Sequence, residues 1–173
     1  MLKRWFIASL LVLVAACSAD LEDYAQTTPP FALFEFFEGE TQAWGMVQDY
    51  TGKQTRRFDV KIVGSIDGDT LTLVEDFTFA DGEISQRIWT IKNQGDGAYI
   101  GTADDVIGEA HGHEEGYALY WEYEMALSVD GDVYHVTFED WMYRQDERHM
   151  FNVAVIKKFG IEVGNVTLFF VKR

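Results

Sequence analysis

From residue 49 onward the chain is punctuated at near-regular intervals by turn-forming groups. They are Asp49-Tyr-Thr-Gly52, Asp67-Gly-Asp69, Asp81-Gly82, Gly95-Asp-Gly97, Glu114-Glu-Gly116, Asp130-Gly-Asp132, Asp146-Glu147 and Phe159-Gly160. Between them lie segments of roughly 8 to 12 residues, rich in Val, Ile, Thr, Phe, Tyr and Trp, which is hairpin patterning and not helix periodicity. Both prolines stand at 29 and 30, so nothing from 31 to 173 interrupts a strand ladder on that account. Strands this long, joined in sequence, make a meander that buries its edges by closing on itself. The expected fold is all-β: a single antiparallel up-and-down barrel of about 8 to 10 strands. A short helix is expected within Phe31–Phe37, before Gly39.

Alternation assigns the inner faces. Arg56 falls in phase with Phe58, Val60 and Ile62; Glu75 with Leu71, Leu73, Phe77 and Phe79; Arg87 with Trp89 and Ile91. Further on, Leu119, Trp121, Tyr123, Met125 and Leu127 form one apolar face, and Asp140 joins Val136, Phe138 and Met142. The next segment is expected to turn Phe151, Val153, Val155 and Phe159 inward, with Lys157 in phase. Charges among apolar inward residues must pair or reach water. An Arg56–Glu75–Arg87 cluster on neighbouring strands is therefore expected, either as a polar anchor inside an apolar cavity or as a salt network at a barrel end.

Charge narrows the partners. There are 14 basic and 29 acidic residues, a net charge of −15. That opposes nucleic-acid binding, which needs clustered cations, and docking on anionic lipid through a basic patch. Aromatics at 15% are too abundant for a disordered chain.

The amino-terminal stretch sets an address. Lys3 and Arg4 precede the apolar run Trp5 to Ala16, too short to span a bilayer and typical of a secretory signal. Val14-Ala15-Ala16-Cys17 resembles the bacterial lipobox, and Cys17 is the chain's one cysteine. The resemblance implies cleavage before Cys17 and acylation of it, with Ser18 in place of an Asp retention signal. The expected organisation is a cleaved signal over 1–16, a lipidated tether over 17–30 and the barrel over 31–173. The expected location is the periplasmic face of a bacterial outer membrane. Cleavage leaves 12 basic side chains against 29 acidic, a net −17.

The body carries Phe36-Phe-Glu-Gly39, Ala43-Trp-Gly45, Arg56-Arg-Phe58, Leu73-Val-Glu-Asp-Phe77, Asp81-Gly82 and Arg87-Ile-Trp89. It continues with Tyr99-Ile-Gly-Thr-Ala-Asp-Asp-Val106, Gly108-Glu-Ala110, Ala118-Leu-Tyr-Trp121, Asp140-Trp-Met-Tyr143 and Lys158-Phe-Gly160. On these stretches it resembles the bacterial lipoprotein family called domain of unknown function 3833. The resemblance implies a lipocalin-like barrel on a lipoprotein and supplies no catalytic residue.

Other chemistry finds little purchase. No Gly-X-Ser-X-Gly elbow is present, and Ser65 reads as the end of a strand. His111 and His113 share a strand face with Glu109, yet they adjoin Gly112 and Gly116 as an exposed hairpin would. The Asp-Gly turns match no calcium loop. No cofactor, metal centre or catalytic set is therefore expected. The leading expectation is a monomer that binds or carries a fatty-acid or phospholipid-like amphiphile in its barrel. Arg56, Glu75, Arg87, Trp89, Trp121, Tyr123 and Asp140 are the candidate contacts, and the membrane is met through the acyl anchor. The alternatives are a solid barrel acting through outer aromatics such as Trp141 and Tyr143, or a lipid-modifying enzyme.

Overall fold

A computed structural model describes residues 19–129 and 131–173; Cys17 and the signal segment lie outside the described residues. Ten strands follow a one-turn 3-10 segment, Leu21–Tyr24, and a short helix α1, Leu33–Phe37. They are β1 Gly39–Asp49, β2 Gln54–Asp67, β3 Thr70–Phe79, β4 Ile84–Gly95 and β5 Ala98–Thr102, then β6 Val106–Glu115, β7 Ala118–Val129, β8 Asp132–Arg144, β9 His149–Lys158 and β10 Ile161–Lys172. Each pairs antiparallel with the next, and β10 returns to β1, so the sheet closes into a barrel. The hairpins are those the turn groups mark, with one addition. The β5–β6 hairpin turns at Ala103–Asp105, where the sequence has no glycine to announce it.

About eight strands enclose a space that side chains just fill, and ten enclose more. At one end α1 supplies the missing volume. Phe31, Leu33, Phe36 and Phe37 are buried almost completely, and Phe37 packs edge-on against Phe170. Gly64 permits the seat, since a Cβ there would stand 1.8 Å from the Phe37 carbonyl oxygen. The plug is also tied at both ends. Glu114 accepts from the Leu33 amide, and the Lys172 ammonium donates to the carbonyls of Glu35, Phe36 and Glu38 at 2.6–2.8 Å. Buried Arg144 donates to the Pro30 and Phe31 carbonyls and to the Glu35 carboxylate.

Two expectations about this body change. On β9 the inward residues are Met150, Asn152, Ala154 and Ile156, while Phe151 and Val153 are exposed and Phe159 sits in the β9–β10 turn. Between Met150 and Ile156 both alternate sets of this strand are apolar apart from Asn152, and each set ends on a lysine, so alternation alone cannot choose between them. The choice falls to Asn152, whose amide meets Asp140 inside. Lys157 accordingly points outward and pairs with Glu139. The second change concerns the tether, which is held down from Asp20 to Pro30. Asp20 caps the 3-10 turn, Tyr24 packs on Tyr117, Trp141 and Tyr143, and Thr27 accepts from the Tyr117 amide.

Candidate functional site

The inner wall divides along its length. Toward α1 it is filled: Ile62, Leu71, Leu119 and Met150 are all nearly inaccessible, with Phe34 of α1 partly buried. Toward the other end Phe58, Phe77, Trp89, Leu127 and Val166 pack on that core yet remain partly accessible. The aromatics there form two groups, and Trp121, Tyr123 and Phe138 are themselves buried. Phe58 meets Phe77 at 5.7 Å, Trp89 stands edge-on to Tyr123 at 5.5 Å, and Tyr123 stacks flat on Phe138 at 5.2 Å. Glycines make room for the largest rings, for a Cβ at Gly112 would meet the Trp121 indole at 2.6 Å.

Polar groups converge within this lining. Glu75 and Arg87 are register partners on β3 and β4, both pointing inward. Arg87 donates to Asp105 from Nε and Nη2, the shortest contact being 2.6 Å. Asp105 comes from the β5–β6 turn. Because β5 is short, the β4–β5 ladder ends at the Thr90–Thr102 pair. The upper part of β4 thus faces a notch in the wall, and the Arg87–Asp105 pair spans it. Both side chains keep some exposure, 26% and 35%. Deeper in, Asp140 accepts from the Tyr123 hydroxyl at 2.9 Å and the Asn152 amide at 2.6 Å.

The charge balance is one guanidinium among three carboxyls. Burial pushes Glu75 up to about 7 against the pull of Arg87, with Asp105 and Asp140 adding to the rise. Burial likewise raises Asp140, although Asn152 and Tyr123 stabilise its ionised form. Burial works to lower Arg87, but Glu75 and Asp105 outweigh it and hold the guanidinium charged. Glu75 can therefore take up or release a proton near neutrality, and it is the acid among these with no side-chain hydrogen bond to a neighbour among the described residues.

Of the seven candidate contacts, six share the interior: Glu75, Arg87, Trp89, Trp121, Tyr123 and Asp140. Arg56 does not join them. It lies at the rim, stacked 3.6 Å over Phe79 and paired with Asp81 and Glu83 of the β3–β4 hairpin, where a charge keeps its water. Two interior groups were outside the candidate set. Asp105 belongs to a turn, where alternation says nothing, and Asn152 to the strand whose phase is ambiguous. His111 and His113 are exposed on the outside of β6, opposite Glu122 and Tyr120. Trp141 and Tyr143 also face outward, but Tyr24 covers part of both.

These features define a closed ten-stranded β-barrel with one end plugged by α1 and partly accessible rings, Phe58, Phe77 and Trp89, toward the other. The chain belongs to the family described as protein of unknown function, DUF3833, which it matches over residues 10–172. None of the functionally curated proteins matches it in sequence. Among solved structures it is similar to the S-type phycobiliprotein lyase CPES from Guillardia theta, with a TM-score of 0.56 at 9% identity over 81% of this chain and 90% of that one. That likeness is one of fold.

Proposed function

We propose that this protein is an envelope lipoprotein, acylated at Cys17 and held at the periplasmic face of the bacterial outer membrane, whose barrel binds one amphiphile. The observation that carries the reading is the inner wall away from α1, where the partly accessible rings Phe58, Phe77 and Trp89 stand with a single polar cluster. An apolar chain entering from the open end removes that lining from water, at about 25 cal/mol per Å² of apolar surface, while the cluster fixes its polar end.

The cluster refines which polar end is welcome. Arg87 is already engaged by Asp105 and faces Glu75, so it offers no free cation to a carboxylate or phosphate. A protonated Glu75 can donate a hydrogen bond to a ligand oxygen; an ionised one repels an anion. Fatty-acid binding therefore weakens as pH rises through about 7, whereas an uncharged monoacylglycerol binds alike on both sides.

The test uses cis-parinaric acid, followed by energy transfer from the barrel tryptophans. Saturable transfer is expected at about pH 6, weaker at about pH 8, and without that dependence in Glu75→Gln. Absence of saturable transfer at either pH, for the acid and for competing monoacylglycerol, favours the filled barrel that acts only through its outer wall.

A further inference from the structure

The outer wall is uneven in its chemistry. A quarter of the chain is charged, and β7 shows Glu122 and Glu124 to solvent. Three adjacent strands differ. The outward residues of β9, β10 and β1 include Phe151 and Val153, Phe169 and Val171, Trp44 and Met46, with charge at the ends of the face, as at Lys157 of β9 and Glu40 of β1. Trp44, Phe151 and Val153 are 47%, 42% and 41% exposed. Phe151, Phe169 and Trp44 occupy one register row across the three strands, and the first two rings lie 4.9 Å apart. This is a continuous aromatic strip and not a scatter of single apolar residues, which would need no account.

The amino-terminal segment reaches the edge of the strip. Tyr143 is the β8 register partner of Phe151, and Tyr24 packs on Tyr143 at 5.7 Å. Tyr24, Thr28, Tyr143 and Phe151 together line a groove of about 530 Å³. Asp20 is fixed by its cap on the 3-10 turn. It stands three positions after Cys17, at most ~10 Å of extended chain. A lipid attached at Cys17 cannot let the barrel drift far from the bilayer.

We propose that the outer face of β9, β10 and β1 rests on the interfacial layer of the membrane to which the chain is anchored. This rests on the acylation of Cys17 in the proposed function, and not on what fills the barrel. An acidic protein is repelled by anionic lipid within a Debye length, ~8 Å at physiological salt. The apolar row of Phe151, Phe169 and Trp44, away from Lys157 and Glu40 at the ends of the face, is the part of its wall that can approach. Trp and aromatic rings favour the headgroup level, and a second contact of this kind strengthens an acyl anchor. Asp59 and Glu139, on the neighbouring strands, flank the strip and keep it on the surface.

The experiment takes the full lipidated chain on phosphatidylcholine vesicles brominated near the headgroup. Trp44 emission, isolated by difference against Trp44→Phe, is expected to be quenched by the bromolipid and shielded from aqueous iodide. In Phe151→Glu with Phe169→Glu, iodide access returns while circular dichroism stays native, because both side chains lie outside the core. An acylated, vesicle-bound chain with Trp44 unquenched and fully open to iodide overturns the membrane-resting face alone. A chain with no acyl mass on the Cys17 peptide overturns the anchoring reading and this proposal with it.

Discussion

The two ends of the barrel are built from the same strands and handle charge in opposite ways. At the plugged end Arg144 and Lys172 point at backbone carbonyls of the plug and hold α1 in place, within a core of buried rings. At the other end Arg87, Glu75, Asp105 and Asp140 stand among half-accessible aromatics, facing one another. One end uses charge to finish the fold, satisfying groups that would otherwise be buried unpaired. The other pairs its charged and polar side chains with one another, Arg87 with Asp105 and Asp140 with Tyr123 and Asn152. The difference separates residues that stabilise the barrel from those to which the proposed binding assigns a ligand.

The largest expected effect tests that separation. Phe36→Ala removes a fully buried ring from the plug and should cost about 3–5 kcal/mol in urea unfolding. Phe77→Ala removes a ring of equal size from the accessible lining and should cost distinctly less. Equal costs would mean that the upper half is as filled as the lower, and the contrast would be gone.

Arg144→Met comes next. The guanidinium is 5% exposed, and its loss strands the Pro30 and Phe31 carbonyls against the core. At 1–3 kcal/mol for a buried group left unpaired, a destabilisation of about 2–4 kcal/mol is expected. The Glu35 partner adds little, being 72% exposed. Loss of protease resistance first in residues 20–38 would localise the effect to the plug.

Glu75→Gln should act with the opposite sign. The folded carboxyl titrates near 7 against an ordinary 4.5, so the folded state holds this proton the more tightly. Its favourable contribution is fully present below about 4.5 and is lost as pH rises toward 7. Glutamine keeps the site neutral throughout. The variant should therefore be more stable than the parent above neutrality, by about 1–2 kcal/mol after allowing for solvent at the notch. It should match the parent near pH 4.5, as chemical denaturation at the two pH values would show.

How much of this was readable beforehand follows from what alternation can see. It placed Glu75, Arg87 and Asp140 inside, because each is a lone charge in an apolar series of fixed phase. The period-two pattern has no opinion about Asp105, which enters from a turn and meets Arg87 only because β5 is short. It misleads on β9, where Phe151 and Val153 outbid Asn152 as inward candidates although both lie exposed on the outer wall. The docking of Tyr24 was equally out of reach, since it depends on a surface assembled from β7, β8 and the β6–β7 turn.

Arg56 carries the smallest expected effect and the sharpest discrimination. Phase alone puts it in the interior set, level with Phe58 and Val60. Its position near the start of β2 puts it at the rim instead, and depth along the strand, which alternation ignores, decides its environment. Its side chain is 37% exposed and its partners Asp81 and Glu83 are 61% and 56% exposed. Exposed ion pairs of this kind contribute about 0–1 kcal/mol, and the stack on Phe79 adds a comparable amount. Arg56→Gln should therefore shift the urea midpoint only slightly and leave parinaric-acid affinity unchanged. Arg87→Gln should alter that affinity, because it frees Asp105 and leaves Glu75 without its cation. Should Arg56→Gln prove the more damaging to binding, the ligand's polar end lies at the rim, and the interior cluster serves only to close the notch beside β4.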